Sequence, residues 1–553
     1  MKSGDAFCRL RSAFPFLVLL KAMLKKTILC FLSVSLLLFF PTLTSCRKDA
    51  VSDPGDGGGE SAAEDGTADG GEEVNPYIYL GPGYTFSDGT LTAAPTTKDK
   101  AETQFSGAFM DAEAENYRLD VTLTLDSLTS SAGVLFAASE SQAYDGIEGY
   151  AFTLRDKRVY LYDLTGSSLS GLIPSELASK SVERPKTGAE IRLRVEKSGN
   201  VYRCYYLDDA EGVEPWPEFE FVLTDHRGKG VGAADNGHGA VFTSLSCVAA
   251  PEKPISGKTY RNPVFRDLQA ADPGVLKADG KYYCYSTSAP IGYYVYVSDD
   301  LVNWKNEGLC MSEAWGLSRS GYYWAPEVVR RADGKFVMVC SVEEHLGFAV
   351  ADSPLGPFIP EKSWTFDKTI DGHIFLDEDG RGYLFYVSWR SGHDYGIWAC
   401  ELEDDLVTVK PETEVPVISP TDAWEQVSGR VTEGPFVLKH SGLYYLTYSG
   451  NGYDAKEYAV GYAVSKSPLG PYEKYKANPI LSYTSKLYGP GHHSFTTSPD
   501  GSELIVVYHT HASTTAVHPR TICIDRARFA PTDSGVDRLE IFGPTHTAQE
   551  YPK

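Results

Sequence analysis

At 553 residues the chain exceeds what one hydrophobic core organises, so it implies two or three folded units with connecting segments. An aromatic content of 12%, led by 35 Tyr, combined with 52 Gly and 32 Pro, describes an all-β protein rich in turns. The formal charge of -23 excludes nucleic acid as a partner, because phosphate recognition needs clustered Lys and Arg.

In chain order, residues 1–46 read as a leader whose better start is Met23, since residues 1–22 fit no element. Met23-Leu24-Lys25-Lys26 is a positive n-region, and Thr27–Phe40 is an apolar run of 14 residues, too short to span a bilayer comfortably. Leu43-Thr44-Ser45-Cys46 follows it and resembles the bacterial lipobox, in which the Cys becomes the lipidated first residue. That resemblance implies an outer-membrane lipoprotein of a bacterial cell envelope, held to the membrane by the lipid on Cys46 alone and facing the periplasm or the outside. Residues 47–76 then form an acidic, Gly-rich linker: between Lys48 and Asn75 nine acids and seven Gly accompany one Lys, a composition that buries no core. Of the ten Cys, Cys8 and Cys30 fall in the leader and Cys46 in the box. The odd remainder has no C-x-x-C spacing, which argues against a disulfide framework or zinc site and for small buried residues.

Residues 77–252 alternate on period two, as in Tyr117-Arg118-Leu119-Asp120-Val121-Thr122-Leu123-Thr124-Leu125 and Ile191-Arg192-Leu193-Arg194-Val195. Turns such as Lys197-Ser198-Gly199-Asn200 separate the runs, so the pattern predicts an antiparallel β-sandwich with one face of each sheet buried. Ala132-Gly133-Val134-Leu135-Phe136 and Gly149-Tyr150-Ala151-Phe152 resemble the laminin-G/concanavalin-like jelly rolls that accompany glycosidases. The sandwich either binds polysaccharide or shields an edge of the next domain.

Residues 253–553 repeat internally. Asp299-Asp300-Leu301-Val302 recurs as Asp404-Asp405-Leu406-Val407, and Ser353-Pro354-Leu355-Gly356-Pro357-Phe358 as Ser467-Pro468-Leu469-Gly470-Pro471-Tyr472. Asp279-Gly280, Asp333-Gly334, Asp379-Gly380, Ser441-Gly442 and Asp500-Gly501 each read as a two-residue hairpin turn, and five such units predict a five-bladed β-propeller. Nine residues ahead of the turn Gly in units three, four and five stand Asp371, Glu433 and His492; in unit one Asp272 stands eight ahead. The first strand of each blade lines the central channel, so these side chains should converge at one end of it.

Their contexts are Ala271-Asp272-Pro273-Gly274-Val275, Trp324-Ala325-Pro326-Glu327-Val328, Ile370-Asp371-Gly372-His373, Thr432-Glu433-Gly434-Pro435 and Gly489-Pro490-Gly491-His492. In this order they resemble glycoside hydrolase family 43, from about Tyr260 to Pro544. The resemblance implies a glycosidase acting with inversion on arabinosyl or xylosyl linkages of plant cell-wall polysaccharide, without an organic cofactor. It implies Asp272 as general base, Glu433 as general acid and Asp371 as the residue that raises and orients the acid. It further implies that His492 faces a central metal, usually calcium held largely through water, where the bland alternative is a satisfied core histidine. Trp324 is either a sugar-stacking wall or interblade packing, and Arg520 either reaches the pocket or forms a surface ion pair. Glu327 reads as structural, and His493 should point away from the channel, since neighbours on a strand alternate faces.

Two other readings stay open on the sequence. A non-catalytic carbohydrate-binding surface lipoprotein is disfavoured because all three acids are present. A retaining fructan hydrolase of the related five-bladed clan would carry Asp-Pro-Asn-Gly, Arg-Asp-Pro and Glu-Cys-Pro. This chain has Asp272-Pro273-Gly274, Asp371-Gly372-His373 and Glu433-Gly434-Pro435 instead.

Overall fold

The computed structural model describes residues 75–553, apart from 82, 96–104, 126, 128, 142–146, 165–174, 184–187, 208–213, 224–227, 254–256, 267–269, 288–291, 313, 318–321 and 533. The leader, Cys46 and nearly all of the acidic linker lie outside the described residues. Strand follows strand, and among the described residues the helical element is the short turn Ala423–Gln426.

The strands between Tyr79 and Ala249 form two seven-stranded antiparallel sheets. Burial follows the period-two pattern: along Tyr117–Leu125 every second residue, from Tyr117 to Leu125, is buried. Val134, Phe136 and Phe152 from one sheet meet Leu119, Leu193 and Phe242 from the other in one core. Burying such side chains contributes roughly 1.5–3 kcal/mol each against chain entropy.

Beyond Thr259 come five antiparallel sheets, the blades, whose first strands are Gly274–Ala278, Tyr323–Arg330, Thr369–Leu376, Thr432–His440 and Gly491–Thr497. Each first strand adjoins those of the blades before and after it, and the fifth adjoins the first, so they form a closed ring. Closure is secured by Thr259–Tyr260 pairing with Gln549–Glu550. Beside it the buried Asn262 side chain donates to Ile524 O (2.8 Å) and accepts from Ile524 N (3.0 Å).

The sequence repeats occupy equivalent corners. Asp300 and Asp405 each accept the amide of the Val two residues on, at 3.0 Å, between the third and fourth strands of blades one and three. Gly356 and Gly470 close the corresponding corners of blades two and four on Ser353 O (2.9 Å) and Ser467 O (3.0 Å). The hairpins differ from expectation. Two-residue turns join the first strands to the second in blades one and four, where Ala278 pairs with Lys281 and His440 with Leu443. In blades two, three and five the end pairs are Arg330–Phe336, Leu376–Gly382 and Thr497–Leu504, so those turns are longer. There the Asp-Gly pair sits inside a loop held by its own side chain, as where Asp379 Oδ1 accepts the Arg381 amide at 3.0 Å.

Of the Cys beyond the leader, six are buried and Cys247 is half-buried, all as free thiols.

Candidate active site

The first strands of blades two to five each carry a bulge at one end, with the register shifting at Trp324/Glu327, Ile370/His373, Glu433/Phe436 and Gly491/His493. The bulge begins on a residue of positive φ: Ala325 (40°), Asp371 (58°), Gly434 (56°) and His492 (39°). Asp272, at 49°, takes the same conformation just ahead of the first strand of blade one. Asp and His are among the side chains that tolerate this left-handed region. The matched places are therefore Asp272, Asp371 and His492 in blades one, three and five. Glu433 stands one residue earlier, in the place that Trp324 holds in blade two. The unequal hairpins shift the count from the turn Gly, which is why the sequence placed Glu433 level with Asp371.

These side chains converge. His492 Nδ1 lies 3.4 Å from Asp272 Oδ1 and 3.8 Å from Asp371 Oδ2. Asp371 Oδ2 accepts the Gly434 amide at 3.1 Å, next to Glu433. Arg520, one residue ahead of the third strand of blade five, grips Asp272 through Nη1 to Oδ1 at 2.7 Å and Nη2 to Oδ2 at 3.2 Å. Thr287 donates its hydroxyl to Asp272 Oδ2 and accepts the Ala325 amide at 2.9 Å, tying blades one and two together at the pocket. The sequence alternatives for Arg520 thus resolve toward the pocket, where its first partner is a carboxylate; its guanidinium also lies 4.7 Å over the Tyr453 ring.

The three acids hold protons differently. Burial pushes Asp272 up, but the Arg520 charge, His492 and His509 outweigh it and hold the carboxyl well below the usual carboxylate range. Glu433 is pushed up to about 7, first by burial and then by the Asp272 charge, against the hydrogen bond from Tyr458. Asp371 is raised too, by burial and by Glu433 and Asp272 beside it. Close buried carboxylates cannot all ionise, so the Asp371–Glu433 pair keeps a proton while Asp272 stays charged. One ionised and one protonated carboxyl in a single pocket is the requirement of acid–base hydrolysis.

The other predicted residues separate. Glu327 places both carboxylate oxygens 2.8 Å from His373 Nδ1, and His373 Nε2 accepts the Val437 amide at 3.0 Å, a buried strut between blades. His493 borders the same axial cavity as His492, and its Nε2 lies 2.7 Å from Thr447 Oγ1. Trp324 is half-buried, with its ring 5.3 Å from that of Tyr322, which is 64% exposed. A narrow cavity on the axis runs from Asp272 and Asp371 past His492 to Glu327. Among the described residues no three His, Cys, Asp or Glu side chains come together to hold a metal. On that cavity Glu327 is engaged by His373 and Asp272 by Arg520 and Thr287, so an ion beside His492 would depend on water for most of its ligands.

Sequence reasoning missed Tyr458 and His509. Tyr458 donates to Glu433 Oε1 at 2.7 Å, and His509 Nδ1 lies 3.1 Å from Asp272 Oδ1. His509 sits in the second strand of blade five and Tyr458 just ahead of the third strand of blade four, where strands are buried throughout and no periodicity marks a functional side chain.

A closed ring of five four- to five-stranded blades around a pocket of split carboxylates defines a propeller hydrolase. Residues 260–533 match the model of glycosyl hydrolases family 43. Through them the chain belongs to that family and is a glycoside hydrolase. It is 29% identical over 296 residues to a β-D-galactofuranosidase of Aspergillus niger, covering 48% of this chain and 82% of that protein. An extracellular exo-α-(1->5)-L-arabinofuranosidase of Streptomyces chartreusis is 29% identical over 278 residues, covering 45% of this chain and 82% of that one. An extracellular endo-α-(1->5)-L-arabinanase 2 of Bacillus subtilis is 26% identical over 269 residues, covering 41% of this chain and 54% of that one. Among solved structures, a thermostable family-43 glycoside hydrolase shares 41% identity at a TM-score of 0.49, over 53% of this chain and 99% of its own.

Proposed function

We propose that the protein hydrolyses arabinosyl or xylosyl linkages of plant polysaccharides with inversion, Asp272 activating water and Glu433 protonating the leaving oxygen. The observation that carries this reading is the split between the two carboxyls: Arg520 and two histidines keep Asp272 ionised, while burial keeps Glu433 protonated up to about pH 7. Asp371 serves the acid by sharing its proton and, through the Gly434 amide, by fixing the backbone beside it. Trp324, with Tyr322, offers a face for the C–H side of a sugar ring, and Arg520 holds the base in place. The arabinosidase names among the relatives support the pentosyl substrate. A hexofuranosyl substrate is the second reading, favoured by the galactofuranosidase relative.

The reading extends to the rest of the chain. Residues 77–252 are a carbohydrate-binding sandwich of laminin-G/concanavalin-like kind, residues 253–553 the catalytic propeller, and residues 47–76 a tether to a lipid on Cys46 in a bacterial outer membrane. A water-held calcium ion beside His492 would supply positive charge at the pocket floor. Aryl α-L-arabinofuranoside, aryl β-D-xyloside, aryl β-D-galactofuranoside and linear arabinan, each offered to the purified protein, test the substrate. Turnover of the first, second or fourth supports the pentosyl reading; turnover of the third alone replaces it. For the anchor, Cys46→Ser should move the protein from the membrane to the soluble fraction, and a variant that stays with the membrane excludes the lipid.

A further inference from the structure

The carboxyls assigned as acid and base are joined by two buried side chains that no sequence motif marks. Tyr458 is fully buried, and its hydroxyl donates to Glu433 Oε1 at 2.7 Å. Its ring presses on the backbone of Gly491, where an added Cβ would come within 2.3 Å of Tyr458 Cε1. The ring also lies parallel to that of His509, with centroids 5.5 Å apart and planes 8° apart. His509 is fully buried as well, with Nδ1 3.1 Å from Asp272 Oδ1 and Nε2 3.4 Å from Arg520 Nη1.

The protonation of His509 follows from its neighbours. Burial, then Arg520, lower it to about 3, so the ring is neutral and carries one N–H. Arg520 can only donate, so Nε2 accepts and the proton is on Nδ1, where it donates to Asp272. The Asp272 amide also approaches this Nδ1, at 3.3 Å.

We propose that Tyr458 and His509 act together as positioning residues that hold Glu433 and Asp272 in register for a single inverting step. Tyr458 occupies Oε1 of Glu433 as an acceptor, so the proton to be transferred rides on Oε2 and the carboxyl cannot rotate. His509 fixes Oδ1 of Asp272 and leaves its orientation independent of the substrate. The stack makes a shift of either carboxyl a shift of both.

This inference rests on the acid and base roles proposed above, and the test separates the two. With the sugar selected by the substrate screen, kcat/KM is measured for a 4-nitrophenyl glycoside and for the methyl glycoside or disaccharide of the same sugar. Tyr458→Phe keeps the ring and its stack and removes only the hydroxyl. It should slow the poor leaving group by about ten- to hundredfold, part of the 10²–10⁴ that a positioned acid contributes, and the nitrophenyl glycoside by less than about threefold. His509→Ala should slow both by the same factor, because the base serves every leaving group, and His509→Asn, which restores a donor near the Nδ1 position, should recover part of the loss. The ratio between two substrates is read on one preparation, so partial misfolding cancels from it. Glu433→Ala is the reference: if it shows no leaving-group dependence, the acid assignment falls and this inference with it. If Glu433→Ala shows that dependence and Tyr458→Phe changes both substrates alike or neither, the positioning role alone is overturned. Unchanged turnover of both substrates in His509→Ala likewise overturns the His509 half.

Discussion

Asp272 and Glu433 are the same kind of group with opposite assignments because of what surrounds each. Asp272 receives Arg520 at 2.7 Å and 3.2 Å, whereas Glu433 receives one neutral hydroxyl at 2.7 Å. Removal of each should therefore read out differently. Asp272→Ala should slow every substrate by at least about a hundredfold, since water without a base is not activated whatever leaves. Glu433→Ala should spare an activated aryl glycoside, whose leaving group departs with little protonation, relative to a natural linkage; equal losses in initial rates would refute the pairing. The pH dependence follows from the same asymmetry. The acid works protonated, so kcat/KM should fall as pH rises through about 7, the value to which burial brings Glu433. The base works ionised and its carboxyl is held well below the usual range, so the acid-side limb should lie below pH 4 or be hidden by unfolding. A pH–rate profile flat from 5 to 9 would contradict the first statement, and an acid-side limb above pH 5 the second. At this scale the sequence brought out Asp272, Asp371, Glu433 and His492 because each sits in a motif or repeats a place, and left Arg520 open between the pocket and a surface ion pair. It did not show Tyr458 or His509, whose contribution arises from packing between blades four and five.

The repeated element is a first strand ending in a bulge, and the alternation around the ring is chemical. Polar residues take the positive-φ place in blades one, three and five, and small residues, Ala325 and Gly434, take it in two and four. Glu433 reaches the pocket from one position earlier, which leaves Gly434 free to pack against His492. An added Cβ on Gly434 would stand 3.2 Å from His492 Cγ. Gly434→Ala should thus cost about 1–2 kcal/mol in backbone strain and, by displacing His492 and the Asp371 contact, lower kcat by a larger factor than that loss of stability explains. Thermal unfolding and initial rates on the same protein check this, and an unchanged kcat with a lowered melting temperature would reduce the bulge to a structural role. Repeats such as Asp299-Asp300-Leu301-Val302 were legible because an Asx corner needs a particular side chain at a particular place. The register of the first strands was not, because loop lengths after them differ and only hydrogen-bond pairing sets it.

In the whole molecule the two seven-stranded sheets and the propeller belong to one compact unit from Glu72 onward. Ser485 N donates to Leu177 O at 2.6 Å, so the edge strand Ser175–Ser181 leans on the link between blades four and five, and Arg528 of blade five lies 4.2 Å over the Trp216 ring. That link leads directly to Gly489-Pro490-Gly491-His492 in the pocket. The order of sheets before blades was readable from period and repeat; their contact was not, because it joins an edge strand and single side chains to residues far away in sequence. The central claim, that Asp272 activates water in one direct displacement, concerns the fate of a single anomeric centre. Proton NMR of the product in the first minutes of hydrolysis, before mutarotation, tests it most directly. The first sugar released should have the configuration opposite to the substrate's, whereas a first product of retained configuration would contradict direct displacement and make an acid of this pocket a covalent nucleophile.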